Sequence, residues 1–329
     1  MTTLAPTLQA FFTDRLARQR QASGHTIAAY RDALKLLPGF AAQHTGKQPC
    51  TLAIADLDAP LIGAFLDHLE HQRGNSVRTR NARLAAVHAL FRFAALRHPE
   101  QAATIQRVLA IPPKRFDHTI ITYLTEAETT ALLAAPDRTT WAGQRDHALL
   151  TLAAQTGLRV SELTALLRTH IHLGAGAHVT CLGKGRKQRI TPLTATTVAV
   201  IKGWLTGHDR LPTDPLFPTR LGTPMSRDAI ERRLTKHATT AALIAPTLAE
   251  KKISPHVLRH TAAMRLLHAG VDSTVIALWL GHENVATTQI YIHADLALKE
   301  QALARTAPLD TTPGRYRPSD TLMTFLETL

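Results

Sequence analysis

Two consecutive prolines divide this chain of 329 residues into two helical halves. The segment Ile111-Pro-Pro-Lys-Arg-Phe-Asp-His-Thr cannot continue a helix, because proline lacks an amide hydrogen and clashes with the preceding turn. Adjacent prolines also stiffen the chain, and the length fits two domains of roughly 100 to 200 residues each. We therefore predict a domain over 1–111, a linker over 112–119, a second domain over 120–307 and a tail over 308–329.

The first half shows apolar residues at helical spacing almost throughout. The spacing predicts successive helices, of which the second ends before Pro38 and Gly39 and two others cover about 58–71 and 76–96. Three arginines share a polar face in the first turns of the last of these helices: Arg78, Arg80 and Arg83. Such a face either lies against DNA phosphates or is simply solvated.

The second half combines helical patterns with one β element. Helices are expected near 126–135, 144–155, 194–205, 226–241, 256–268 and 272–280. Between them, His178-Val-Thr-Cys-Leu and Gln188-Arg-Ile-Thr-Pro-Leu alternate as two short strands around a Gly-rich tip. The predicted fold class is mainly α with a small β-hairpin or sheet.

Composition restricts the class of protein further. Hydrophobic residues make up 45% and charged residues 19%, which supports a packed core rather than a disordered chain. No apolar run reaches the length of a membrane span, no secretory signal is evident, and two cysteines do not make a disulfide framework. We expect a cytoplasmic protein, associated with the nucleoid. A formal net charge of +13, with a basic excess in both halves, favours a nucleic-acid partner.

Four separated segments concentrate the residues that suit chemistry on a phosphodiester. They are Thr156-Gly-Leu-Arg-Val-Ser-Glu-Leu, Leu182-Gly-Lys-Gly-Arg-Lys, His256-Val-Leu-Arg-His-Thr and Leu280-Gly-His-Glu-Asn-Val-Ala-Thr-Thr-Gln-Ile-Tyr. In this order and spacing they resemble the tyrosine site-specific recombinases of the phage integrase and Xer group, over about residues 120–307. Residues 5–110 are more weakly similar to the helical, SAM-like core-binding domain of that family.

The chemistry is consistent with this resemblance. Cutting a phosphodiester without hydrolysis needs a nucleophile that keeps the bond energy in a covalent ester, and a tyrosine hydroxyl can do so. Negative charge accumulates on the non-bridging oxygens, where planar guanidinium groups bind well. The leaving 5′ oxygen also needs a proton donor.

The resemblance implies six catalytic residues: Arg159, Lys184, His256, Arg259, His282 and Tyr291. It makes Arg159 and Arg259 the phosphate clamps. It makes His256 the acid/base partner near the hydroxyl of the nucleophile Tyr291. Lys184 then delivers a proton to the 5′ oxygen, and His282 hydrogen-bonds the scissile phosphate. Glu162 is expected to orient the Arg159 turn.

Two further features of these segments allow more than one interpretation. The remaining hairpin cations Arg186, Lys187 and Arg189 are predicted DNA contacts, although a solvated turn would have the same composition. His256 and His260 stand four residues apart like the histidine pair of a zinc protease. However, the residue after the first histidine is Val257 rather than the glutamate of that motif. We therefore expect no metal and no other cofactor.

In the family, the two domains form a clamp around duplex DNA and four copies synapse two sites. The resemblance therefore implies double-stranded DNA and other copies of this chain as partners, with accessory DNA-bending or directionality proteins able to join. The expected function is site-specific recombination in integration, excision or resolution, with a mobile element favoured over housekeeping. A type IB topoisomerase-like nicking-closing enzyme and a non-catalytic architectural DNA-binding protein are the alternatives.

The tail extends beyond the compact Xer pattern. Residues 308–320 are rich in proline and threonine. Four apolar residues then follow at the spacing of a short amphipathic helix: Leu322, Phe325, Leu326 and Leu329. This helix is expected to dock on the catalytic domain of its own chain or of a neighbour.

Overall fold

The computed structural model describes residues 3–116, 121–183, 188–206 and 211–282, together with Thr288 and Tyr291. The chain divides into two compact units, Met1–Thr119 and Ile120–Leu329. Over the described ranges it is mostly helical, with one three-stranded sheet in the second unit, which confirms the predicted fold class. No helix among the described residues is both long and apolar enough to span a bilayer. The tail predicted to form an amphipathic helix lies outside the described residues.

Five α-helices build the first unit as far as it is described. They are α1 (Leu4–Ala10), which continues as a π-helical stretch over Phe11–Gln19; α2 (Gly24–Thr45); α3 (Ala59–Asp67), with a π-helical continuation over His68–Gln72; α4 (Val77–Ala94); and α5 (Ala102–Leu109). Serine caps start the two longest helices. The main-chain N–H groups of Thr26 and Thr79 donate to the hydroxyls of Ser23 and Ser76, each at 3.3 Å.

Helix α2 passes through Pro38, where the sequence predicted it to end. It continues to Thr45 and stops at Gly46, whose positive φ of 71° is the usual left-handed helix end. A proline inside a helix removes one main-chain hydrogen bond. Burial of Leu34, Leu37 and Ala41 along one face of α2 offsets that loss, and the helix is therefore kept intact by packing.

Seven α-helices and three strands make up the described part of the second unit. The helices are α6 (Glu126–Ala134), α7 (Trp141–Thr156), α8 (Val160–Thr164), α9 (Ala195–Thr206), α10 (Arg227–Ala241), α11 (Pro255–His268) and α12 (Ser273–Leu280). The strands are β1 (Ile171–His172), β2 (His178–Leu182) and β3 (Gln188–Pro192), antiparallel in the order β1-β2-β3. The two strands of the predicted hairpin pair in register, with Cys181 opposite Arg189, and β1 adds an edge that the sequence did not indicate.

The most buried helix of this unit is α7, which has its leucines within the core. It ends at Gly157, where φ is +64°. Beside this end lies α12, since the indole N–H of Trp279 donates to the carbonyl of Thr156 at 3.1 Å. A guanidinium from the first turns of α11 reaches the same place, because Arg259 donates to the carbonyl of Gly157. The ends of three helices therefore meet at one point of the second unit.

Candidate active site

Arg159 stands in the turn between α7 and α8, and one carboxylate fixes its main chain. Its N–H donates to Oε2 of Glu162 at 2.7 Å, which caps the short helix α8. The guanidinium of Arg159 donates to Oε1 of Glu162 at 3.1 Å and to the carbonyl of Gly281 at 2.8 Å. The side chain is 26% exposed. Glu162 therefore orients the Arg159 turn in the way expected from the sequence, while the guanidinium remains accessible.

Arg259 projects from the first turns of α11 and is 4% exposed. Its guanidinium donates to the carbonyls of Gly157 and Leu280, both at 2.7 Å. Burial, and then the charge of Arg159, lowers the pKa of Arg259 to about 10, so the group remains a cation at neutral pH. The two arginines thus hold positive charge at the joined ends of α7 and α12, where an oxyanion would be stabilised strongly.

Gly157 is required at this junction for two reasons. Its positive φ favours glycine. A Cβ at this position would also lie 2.7 Å from a methyl carbon of Leu280 and 3.1 Å from Cβ of Ala262. The missing side chain allows α7, α11 and α12 to approach closely enough for Arg259 to bridge them.

Tyr291 is buried beside α11 and α12, with 1% of its surface exposed. It packs in a small apolar cluster with Ala263, Met264, Leu267, Ile276 and Leu280. A hydrogen bond of 3.1 Å joins its hydroxyl to Nδ1 of His260. Burial raises the pKa of Tyr291, although the charges of Arg259 and Arg159 partly oppose the shift. The phenol is therefore protonated at neutral pH.

His282 lies over the same tyrosine ring. The two rings are nearly parallel, with an interplanar angle of 12° and centroids 6.3 Å apart. Nδ1 of His282 is 2.8 Å from the hydroxyl oxygen of Thr288. Burial, followed by the charges of Arg259 and Arg159, lowers the pKa of His282 to about 4. The imidazole is neutral at physiological pH and can share a hydrogen bond with a phosphate.

Arg189 forms a buried, two-pronged ion pair with Glu162. Its two terminal nitrogens donate to the two carboxylate oxygens at 2.6 and 2.7 Å, and the side chains are 10% and 3% exposed. Burial would raise the pKa of Glu162, but the hydrogen bonds and charge of Arg189 outweigh it and hold that pKa below its usual value. This differs from the predicted DNA contact, because the guanidinium is directed to a carboxylate inside the unit.

His260, rather than His256, meets the tyrosine hydroxyl. The two histidines lie one turn apart on α11, with ring centroids separated by 6.4 Å. His256 is exposed near the start of the helix, whereas His260 is partly buried and its ring centroid lies 5.5 Å from that of Tyr291. The sequence placed His256 near the hydroxyl, whereas the hydrogen bond in this structure joins the hydroxyl to His260. The sequence holds a weak signal for this contact, since His260 directly follows Arg259, but its spacing from His256 marks it only as half of a metal-binding pair.

The other predicted site residues differ in where they lie. Three hairpin cations are outside the described residues: Lys184, Arg186 and Lys187. On α4, Arg78 is exposed and Arg83 is partly buried, but Arg80 is only 6% exposed. The predicted polar face therefore does not include Arg80, which turns inward toward Glu70 at 3.8 Å. Within the described ranges no group of three or more His, Cys, Asp or Glu is arranged to hold a metal ion.

These residues together define a class of site. Two guanidinium groups converge on main-chain carbonyls at the ends of α7 and α12, and a protonated phenol lies beside them. One imidazole is hydrogen-bonded to that phenol, and a second lies over its ring. Such a site suits attack by a tyrosine on a phosphodiester, with the arginines stabilising the charge that develops on the phosphate oxygens.

Comparison with protein families agrees with this class. Residues 122–297 match the model of the phage integrase family, and residues 10–98 match the N-terminal SAM-like domain of phage integrases. The chain belongs to the phage integrase family of tyrosine recombinases, enzymes that cut and rejoin DNA.

Similar proteins cover nearly the whole chain. The chain is 52% identical to y4rC of Sinorhizobium fredii, described as an integrase/recombinase, over 99% of this chain and 98% of that protein. It is 32% identical to the tyrosine recombinase XerD of Pseudomonas putida, over 90% and 96% of the two chains.

Two solved structures share the fold. One is the Tn1549 transposon integrase in complex with a circular-intermediate DNA, with a TM-score of 0.68, 16% identity and coverage of 93% of this chain and 100% of that one. The other is the XerH site-specific recombinase bound to palindromic difH substrate after cleavage, with a TM-score of 0.66, 21% identity and coverage of 87% and 81%.

Proposed function

We propose that this protein recombines specific DNA sites by forming a covalent bond between Tyr291 and the 3′ phosphate of a cut strand. The convergence of Arg159 and Arg259 on the carbonyls of Gly157, Leu280 and Gly281, beside the buried hydroxyl of Tyr291, supports this proposal most directly. A phosphate placed there would replace these carbonyls as the partner of both guanidinium groups.

In the proposed reaction each residue has a distinct task. Arg159 and Arg259 bind the non-bridging oxygens and stabilise the charge of the five-coordinate transition state. The neutral imidazole of His282 donates a hydrogen bond to the same phosphate, and His256 lies at the exposed edge of the site. Lys184 protonates the 5′ oxygen as it leaves.

The two units divide the work in this proposal. The first unit is the core-binding domain, which holds duplex DNA with exposed cations such as Arg78, and the second carries out the chemistry. Residues 112–119 connect them and let both enclose one duplex as a clamp. The net charge of +13 supports a DNA ligand for the whole chain.

Recombination further requires that two cut sites be held together. We assign this to four copies of the chain on two DNA sites, and integration or excision of a mobile element is the favoured task. The name integrase/recombinase of the relative with 52% identity supports integration or excision as the task. A cytoplasmic location on the nucleoid follows from the DNA substrate.

Covalent capture tests the proposed function. Cells expressing the wild type or Tyr291→Phe are lysed in denaturant, protein-linked DNA is recovered, and the attachment points are sequenced. We expect wild-type adducts at one or a few inverted-repeat sites and none from Tyr291→Phe. Adducts scattered over the genome would favour a nicking-closing topoisomerase, and adducts unaffected by Tyr291→Phe would contradict the proposal. Absence of any adduct would favour the non-catalytic DNA-binding alternative.

A further inference from the structure

We infer that His260 is the general base that removes the proton from Tyr291 during cleavage. The inference rests on the proposed function, because it requires Tyr291 to be the nucleophile. No role for His260 follows from the four segments that carry the resemblance, in which the acid/base function is given to His256. The inference rests on the position of His260 on α11 and its contact with the hydroxyl.

The contact has the geometry of proton transfer. Nδ1 of His260 lies 3.1 Å from the hydroxyl oxygen of Tyr291, within the range for a general base and its substrate. The rings meet edge to face, with centroids 5.5 Å apart and an interplanar angle of 63°. Among the described residues, His260 is the hydrogen-bond partner of this hydroxyl. The phenol is buried to 1% exposure, so bulk water is a poor acceptor for its proton.

The imidazole is in the form that can accept a proton. Burial, followed by the charges of His256 and Arg259, lowers the pKa of His260 to about 4. The ring is therefore neutral at physiological pH, with a free lone pair on Nδ1 when the proton sits on Nε2. The phenol O–H can then donate to Nδ1, and the raised pKa of Tyr291 makes such a base necessary.

Binding of DNA would strengthen this base. A scissile phosphate between Arg159 and Arg259 brings negative charge close to His260, and a nearby negative charge favours the protonated form of an imidazole. The charge of Arg259, which contributes to the lowered pKa of His260, would at the same time be neutralised. His260 therefore gains basicity when the substrate arrives.

Cleavage and rejoining move one proton between Tyr291 and His260. As the oxygen of Tyr291 bonds to phosphorus, its O–H bond breaks and the proton moves to Nδ1 of His260, which becomes imidazolium. The bond from phosphorus to the 5′ oxygen breaks, and Lys184 protonates that oxygen. In the rejoining step the free 5′ hydroxyl attacks phosphorus, and the imidazolium returns its proton to the leaving phenol.

The test compares cleavage of two synthetic duplexes that carry the captured site. One contains an ordinary phosphodiester, and the other has sulfur in place of the bridging 5′ oxygen. A thiolate leaves without prior protonation, so the second duplex removes the need for an acid but retains the need for a base. The proteins are the wild type, His260→Ala, His260→Asn, Lys184→Ala, Tyr291→Phe and His268→Ala. The last is a control in the same helix, at an exposed position remote from the hydroxyl.

We expect His260→Ala and His260→Asn to form covalent adduct at least about 100-fold more slowly on both duplexes. Lys184→Ala should form adduct slowly only on the duplex with the ordinary phosphodiester. The rate of His260→Ala should also rise about tenfold per pH unit above pH 7, because the phenol must then ionise without help. A purely structural role would not produce that pH dependence. Melting temperature and duplex binding are measured for each variant, and His268→Ala should match the wild type.

The possible failures are distinguishable. Wild-type rates for both His260 variants, while Tyr291→Phe is inactive, would overturn the role of His260 and leave the proposed function in place. Rescue of His260→Ala by the sulfur-containing duplex would also overturn it, since His260 would then act on the leaving group. Adduct formation by Tyr291→Phe would refute the proposed function itself.

Discussion

At the scale of single residues, Arg189 shows how a cationic segment can contain a side chain whose partner lies inside the protein. It lies within the cationic hairpin, and nothing local distinguishes it from Arg186 or Lys187 in sequence. Its partner Glu162 is 27 residues away along the chain, and an ion pair of that separation leaves no periodic signal. By contrast, the roles expected of Arg159 and Arg259 follow from short segments that resemble a known family.

Replacing Arg189 should reduce stability rather than DNA affinity. Arg189→Ala leaves the carboxylate of Glu162 buried and without the two hydrogen bonds that Arg189 donates, which costs about 3 kcal/mol in the free energy of unfolding. Arg78→Ala is the matched comparison, because Arg78 is exposed, and its effect on stability should stay within about 0.5 kcal/mol. Urea denaturation measures both changes.

The salt dependence of DNA binding separates the two arginines further. We expect Arg78→Ala to lower the slope of log affinity against log salt by about 1, as for the loss of one phosphate contact. Folded Arg189→Ala, assayed well below its melting temperature, should keep the wild-type slope. A lowered slope for Arg189→Ala with unchanged stability would show that Arg189 contacts DNA after all.

At the scale of elements, helices and the hairpin followed from periodicity, and the exceptions have physical causes. Strand β1 has only two residues, which is too short for an alternation of side chains to be recognised. Helix α2 continues through Pro38 because tertiary burial outweighs a local breaker. Two π-helical stretches, Phe11–Gln19 and His68–Gln72, extend predicted helices without any marker in the sequence.

At Gly157, both the left-handed conformation and the surrounding side chains disfavour a Cβ. Gly157→Ala places a Cβ at 2.7 Å from Leu280 and in a left-handed conformation, so we expect a loss of about 2 kcal/mol or more in stability. The cleavage rate should also fall, because the carbonyl that receives Arg259 moves. Gly203→Ala is the control, since Gly203 lies inside α9 with nothing within 4 Å of its Cβ position. It should stabilise the protein by roughly 0.5 to 1 kcal/mol. Equal changes in melting temperature for Gly157→Ala and Gly203→Ala would show that the junction tolerates a side chain at Gly157.

At the scale of the whole molecule, the double proline predicted a division that the structure places between residues 119 and 120. Composition and the family resemblance were enough to predict a helical DNA-acting enzyme. The chemical environment of the site was not predictable, because burial of Tyr291 and of the histidines around it depends on packing between α11 and α12. Those contacts set the pKa values, and no local sequence pattern reports them.

The stability of the protein should fall as the solution becomes mildly acidic. His260 and His282 have pKa values of about 4 in the folded protein, against roughly 6.5 in the unfolded chain. Between these values the unfolded state binds more protons. The free energy of unfolding therefore decreases as pH drops from about 6.5 toward 4, by on the order of 2 kcal/mol per histidine.

Carboxylates such as Glu162, whose pKa is lowered, contribute a further loss only below about pH 4. Urea denaturation at pH 7.5, 6.0 and 4.5 measures how the free energy of unfolding depends on pH. In the double variant with His260→Gln and His282→Gln, this free energy should change less between pH 7.5 and 4.5. Equal slopes in the wild type and the double variant would show that these histidines are not protected from protonation.

The central claim is that Tyr291 attacks the scissile phosphate in a site built by Arg159 and Arg259. The most direct measurement is mass spectrometry of the covalent protein–DNA adduct after digestion with protease and nuclease. The account predicts a nucleotide joined through its 3′ phosphate to the peptide that contains Tyr291, and no such peptide from Tyr291→Phe. A nucleotide attached to any other residue, or through a 5′ phosphate, would contradict it.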